Sequence, residues 1–152
     1  MHKGIKYIGT LIIIVGIIGF IMGATFIYMG FAKQKIIIDA MKTEKINMGS
    51  FGGNADDVID SLDEAQKAAD TVREHRHGIA PTYGELLGGK KYDPTNPIQL
   101  TYAQAMNLEN YLYLAVASIG LVQVVLGSGA FMLITGIALA GSGTGLLMLN
   151  KK

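Results

Sequence analysis

The chain contains no cysteine. That absence excludes disulfides, thiolate nucleophiles, zinc–cysteine sites and iron–sulfur clusters, and it leaves the redox compartment unreadable. Histidine is scarce, with three in 152 residues, and Asp, Glu, Lys and Arg together make up only 16% of a chain that is half hydrophobic. Proline occurs three times, at Pro81, Pro94 and Pro97, so the long stretches on either side are free of the strongest helix breaker. The length allows one modest domain, and the apolar bias is that of a membrane protein.

The apolar residues form two blocks, Leu11 to Phe31 and Leu112 to Ala140, without a single charged residue in either. Each exceeds the ~20 residues that cross a bilayer. Lys3 and Lys6 before the first block, and Gly30-Phe31-Ala32 after it, imitate a signal peptide. A signal-peptide apolar region runs to ~7–15 residues, whereas this block continues for 21, and a retained anchor is expected. All 12 acidic residues lie between Lys33 and Glu109 with nine of the 13 basic ones, so the middle is net −3 while Lys3, Lys6, Lys151 and Lys152 stand unopposed at the ends. Positive flanks favour the cytoplasm. The first block alone is ambiguous, because Lys33, Lys35, Lys42 and Lys45 follow it closely. The second decides for termini inside and residues 33–110 outside, since nothing basic occurs between Tyr92 and Asn150.

Within the first block, glycine recurs at Gly9, Gly16, Gly23 and Gly30, one every seventh residue, and Gly19 adds a Gly-x-x-x-Gly spacing to Gly23. The second answers with Gly129, Gly136 and Gly143, and with Gly120 and Gly127 as another pair. Glycine is costly in a helix, but small residues let membrane helices approach closely, and a period of seven keeps such a stripe facing a left-handed partner. These ten glycines are therefore read as helix-packing surfaces. One seam is expected to serve the intrachain pair and the other a neighbouring copy.

The middle segment reads as a small helical head. "NADDVIDSLDEAQKAADTVREHRHG" suggests a helix from Ala55 to His77, capped by Asn54 with Asp57 three residues on and stopped by Gly78. Arg73, His75, Arg76 and His77 would complement its C-terminal dipole. Val58, Leu62, Ala65, Ala69 and Val72 give it a thin apolar stripe, with Leu62 and Val72 expected to be buried. Pro97 behind Asn96, with Gln99 following, marks the start of a helix running unbroken to Ala140. The first helix should continue through "FAKQKIIIDAMKTEKI" until the glycines of "NMGSFGGN". "GIAPTYGELLGGKKYDPTNP" reads as loop.

Thr82-Tyr83-Gly84-Glu85-Leu86, Asp93-Pro94, Leu108-Glu109-Asn110 and Gln123-Val124-Val125-Leu126-Gly127 together resemble the pattern of small two-span bacterial membrane proteins that often carry the name "aromatic ring-opening dioxygenase". The resemblance implies a two-span membrane protein. A ferrous ring-opening site needs a set such as two histidines and a carboxylate with open positions. His2 falls on the opposite side of the membrane from the other two histidines, and His75 and His77, two apart on a helix, diverge by about 200°. No metal, cofactor or catalytic residue is therefore assigned. "GSGTG" at Gly141–Gly145 lacks the Lys-Ser/Thr of a phosphate loop and reads as a flexible end to the second span. Ser118, Gln123, Ser128 and Thr135 are the polar residues at membrane depth, where such groups either bond across helix interfaces or line a path. Tyr83, Tyr92 and Tyr102 suggest ligand contacts, while Tyr111 and Tyr113 fit an interfacial belt.

The expected fold is an all-α membrane protein in three parts. These are a tail and first span (1–32), an extracytoplasmic head of short helix and loop (33–110), and a second span with a basic tail (111–152). Two long antiparallel helices project from the membrane. The expected role is structural or accessory, in a homo-oligomer or larger complex within the lipid bilayer, without nucleic acid. A channel or transporter component is the alternative.

Overall fold

The computed structural model describes residues 3–149. His2, Asn150, Lys151 and Lys152, which bear on the expected orientation, lie outside the described residues. The helices are α1 (Lys3–Thr43), α2 (Leu62–Ile79), α3 (Tyr83–Leu87) and α4 (Pro97–Leu149), with a 3-10 turn at Met48–Phe51. Among the described residues there is no strand, only an isolated antiparallel bridge between Asn47 and Val58. The chain divides into two compact units, one of residues 1–34 with 121–152 and the other of residues 35–120.

In the first unit, each long helix carries an 18-residue apolar window of which only 11% is buried. The core helix of a soluble protein would bury most of such a window. Here Leu11, Ile18, Phe31, Phe131, Ile134 and Ile137 are all exposed, the surface that hydrocarbon rather than water accommodates. Thr10, Thr25, Ser142 and Thr144 each donate their hydroxyl to the carbonyl four residues back, at 2.8–2.9 Å, which satisfies them inside an apolar helix. Two boundaries differ from expectation. Gly141–Gly145 is not a flexible end but part of α4, which continues to Leu149. α1 ends at Thr43, ahead of the glycines, and Lys45 turns the chain with φ 51.

The second unit corrects the reading of α2. The helix begins seven residues later than expected, because Ser61 rather than Asn54 caps it. The Ser61 hydroxyl accepts from Glu64 N at 3.3 Å and the Glu64 carboxylate accepts from Ser61 N at 3.2 Å, a reciprocal pair that satisfies two otherwise orphan donors. Asn54 instead accepts from Asp56 N at 3.1 Å in a local turn, and Val58 joins the bridge to Asn47. Gly78 does not stop the helix, which ends at Ile79. The buried stripe of α2 is Ala65, Ala68, Ala69 and Val72, while Leu62 is only half-buried. Alanines bring α2 close to the core formed by Met41 of α1, Met48 and Phe51 of the turn, Ile59, and Leu112, Ala115 and Ile119 of α4. The stretch expected to be loop holds α3, capped by Thr82, whose hydroxyl accepts from Glu85 N at 3.2 Å. The start of α4 is as the sequence suggests: Asn96 Oδ1 accepts from Ile98 N at 3.0 Å and Gln99 N at 3.2 Å.

Candidate functional site

Burial in the first unit follows the heptads. Its buried residues, among those described, are Gly9, Gly16, Gly23 and Gly30 of α1 and Val122, Gly129, Gly136 and Gly143 of α4. A Cβ on Gly16 would stand 2.7 Å from the Gly136 carbonyl oxygen, and one on Gly136 would stand 2.7 Å from that of Gly16. Gly23 and Gly129 repeat the relation at 2.7 and 3.0 Å, and Gly9 and Gly143 at 3.1 and 2.6 Å. As the α1 number rises by seven, its partner's falls by seven. The two glycine stripes therefore face each other within one chain, so the expected division into an intrachain and an intermolecular seam does not hold. Gly30 closes the series against Leu126, whose Cδ2 is 2.5 Å from the site of a Cβ. No side chain fits at these contacts without moving backbone or a packed leucine, which is why glycine occupies them. The hydrogens that take the place of Cβ point toward the partner's carbonyl oxygens, the arrangement of weak Cα–H···O bonds.

Gly19 is less tightly placed, 3.7 Å from Gly136 Cα, and Gly120 and Gly127 meet nothing within 4 Å. The polar quartet also separates. Gln123 is exposed while Ser118, Ser128 and Thr135 are half-buried. Five residues apart, Gln123 and Ser128 stand about 140° from each other around α4.

The second unit contains a cluster that the sequence reading missed. Arg76 of α2 donates from Nε to Glu109 Oε2 at 2.6 Å and from Nη2 to Glu109 Oε1 at 3.3 Å, and its Nη1 donates to the Tyr102 hydroxyl. The guanidinium carbon lies 5.0 Å from the Tyr102 ring centroid, and the Tyr83 ring lies tilted at 39° beside that of Tyr102, centroids 6.2 Å apart. Glu109 is 7% exposed and Tyr102 fully buried. The Glu109 carboxylate holds the Arg76 guanidinium above its already high usual value. A two-pronged, charge-assisted pair of this kind fixes orientation as well as distance. Beside it, Asp70 accepts from Gln66 at 2.9 Å and Tyr113 at 2.7 Å. Those bonds, with Arg73 2.9 Å away, hold its carboxyl below the usual range.

No family model, curated protein or solved structure matches the chain.

Chemically the cluster is a clasp. Both carboxylate oxygens of Glu109 are engaged, and the guanidinium is a permanent cation unsuited to proton transfer. Arg76 was expected to serve the helix dipole, and its recruitment by Glu109 escaped the sequence reading because 33 residues separate them. The available signal was Glu109 itself, the last acid before a charge-free run, seven residues from Tyr102 and so on the same helical face. His75 and His77 are exposed on α2. Among the described residues no three His, Asp or Glu stand together as metal ligands.

Proposed function

We propose that the chain is a two-span membrane protein with a structural or accessory role. The observation that carries this reading is the inversion of the first unit, where glycines are buried and large apolar side chains face outward, as lipid favours. α1 and α4 have 41 and 53 residues, roughly twice or more the ~20 that cross a bilayer. In this reading they cross as an antiparallel pair and their remaining turns belong to a small head, residues 33–110, outside the cell membrane, with both termini inside. The likeness of the Thr82–Leu86 and Gln123–Gly127 motifs to small two-span bacterial membrane proteins supports the same architecture. A channel lumen would have to collect Gln123 with Ser128 and Thr135, and Gln123 stands off the face of α4 that the other two share.

With the two main glycine stripes engaged with each other, self-association or docking into a larger membrane assembly falls to the outward faces. Gly120 and Gly127, one heptad apart with open space above them, offer the closest approach to a neighbouring helix. The particle extracted in mild detergent should exceed the mass of one chain, and Gly127→Leu should reduce it to one. A wild-type monomer would remove self-association from the proposal. In intact cells an impermeant thiol reagent should label a cysteine placed at Ser61 and spare one at Asn150, and the reverse pattern would invert the topology.

A further inference from the structure

In the 35–120 unit, a trough of about 190 Å³ runs between α1 and α4, with Ile36, Ile37 and Ala40 on one wall and Tyr111, Leu114 and Ser118 on the other. Spacings of three and four residues set each wall along one side of its helix. The lining is almost wholly apolar, and its edges are open: Ile36 is 59% exposed and Leu114 66%. This stretch of α4 belongs to the head, because Leu112, Ala115 and Ile119 pack in the core that the α2 alanines join. In the membrane reading above, the trough therefore faces water rather than hydrocarbon. Apolar surface in water gains by being covered.

Two observations select what covers it. Copies that cross one bilayer in the same sense carry the trough at the same height, so a two-fold axis along the membrane normal sets two troughs opposite each other, a self-complementary contact. Leu114 projects beside the hollow that it helps to line, and each copy's Leu114 can enter the other's hollow. The charges agree with that symmetry. Just beyond α1, Glu44 and Lys45 are exposed neighbours of opposite sign. Among the described residues neither joins an ion pair, whereas Lys35 is held by Asp39 and Lys42 by Asp60. Across a two-fold axis Glu44 of each copy meets the partner's Lys45, so the rim is complementary to itself. A partner with a rim of one sign would leave one of the two opposed.

We infer that this trough is a contact between two copies of the chain, related by a two-fold axis along the membrane normal. Leu114 of each copy seats between Ile36 and Ala40 of the other, and two Glu44–Lys45 pairs close the rim. The inference rests on the membrane reading above and adds to it a head contact made by residues other than Gly120 and Gly127. The surface involved is small, so the contact holds in the membrane, where copies share one plane and meet at high effective concentration, and lapses on extraction into detergent.

The test is cross-linking of the full chain in isolated membranes, using single cysteines in the cysteine-free background and a short thiol-specific reagent with two reactive ends. Leu114→Cys should yield a species of doubled mass, about fivefold more of it than Glu74→Cys, an exposed position on α2. With Leu114→Cys in place, Glu44→Lys should lower that yield about fivefold, the scale of two exposed ion pairs, and adding Lys45→Glu should restore it. Ala40→Phe, which fills the trough, should lower it as well. Ala40, Glu44 and Lys45 are exposed, so these changes leave the fold in place. If the chain is in the membrane and Leu114→Cys links no better than Glu74→Cys, or links undiminished with Glu44→Lys, the inference is overturned and the membrane reading stands. A chain recovered among soluble proteins would overturn the membrane reading itself.

Discussion

At the residue scale, glycine has opposite consequences at different positions of the two long helices. A methyl group on Gly16 would stand 2.6 Å from the Ala140 backbone nitrogen, whereas one on Gly141 would meet nothing within 4 Å. Gly16→Ala should therefore destabilise the protein by about 1–3 kcal/mol, as overpacking does. Gly141→Ala should be neutral or stabilising by up to about 1 kcal/mol through helix propensity. Thermal unfolding in mild detergent distinguishes them, and equal effects would show that Gly16 is not at a close contact. Arg76 poses a different problem, because removing it strands a buried carboxylate. Arg76→Met should cost about 3–5 kcal/mol, and the double change Arg76→Met with Glu109→Leu should recover most of that loss. A double variant as unstable as the single one would mean that the pair contributes more than its mutual neutralisation. The heptad glycines were legible in the sequence because their period is a property of one helix. The clasp was not, because nothing local to Arg76 points to a partner 33 residues away.

At the scale of elements, helix existence could be read and helix boundaries could not always be. Asn96-Pro97 marked the start of α4 because the cap and the fixed proline φ agree there. α2 offered two competing starts, Asn54 with Asp57 and Ser61 with Glu64. The second prevails because Glu64 returns the hydrogen bond to Ser61 and places Ala65, Ala68 and Ala69 on the core, whereas Val58 is drawn into its bridge. Ser61→Ala should lower α2 stability by about 1 kcal/mol, seen as faster amide exchange at Glu64 and Ala65, while Asn54→Ala leaves those amides unchanged. Equal acceleration by both would restore the earlier start. Asp70 gives this region a pH dependence. Its folded pKa lies below the usual value, so its contribution is present at neutral pH, above the unfolded value near ~3.9, and is lost as the pH falls through the folded one.

For the whole molecule, two kinds of cohesion operate, each within its own unit. Apolar burial around the α2 alanines and the Arg76–Glu109 clasp organise residues 35–120. Close backbone approach along glycines organises the apolar helices, which are long and apolar enough to cross a membrane. The sequence disclosed that both apolar runs carry glycine heptads, but not that the two stripes meet each other, since period alone does not name a partner. The absence of cysteine makes that meeting directly measurable. A Cβ at position 9 would lie 3.1 Å from Leu147 Cγ, and one at position 30 would lie 2.8 Å from Leu126 Cγ, about the separation between one cysteine's Cβ and its partner's Sγ across an S–S bond of ~2.04 Å. Mild oxidation of isolated membranes should therefore join Gly9→Cys to Leu147→Cys, and Gly30→Cys to Leu126→Cys, within single chains of unchanged mass. The crossed combination Gly9→Cys with Leu126→Cys should remain reduced. Disulfides that appear only between chains, or form as readily in the crossed combination, would contradict the facing of the two glycine stripes within one chain.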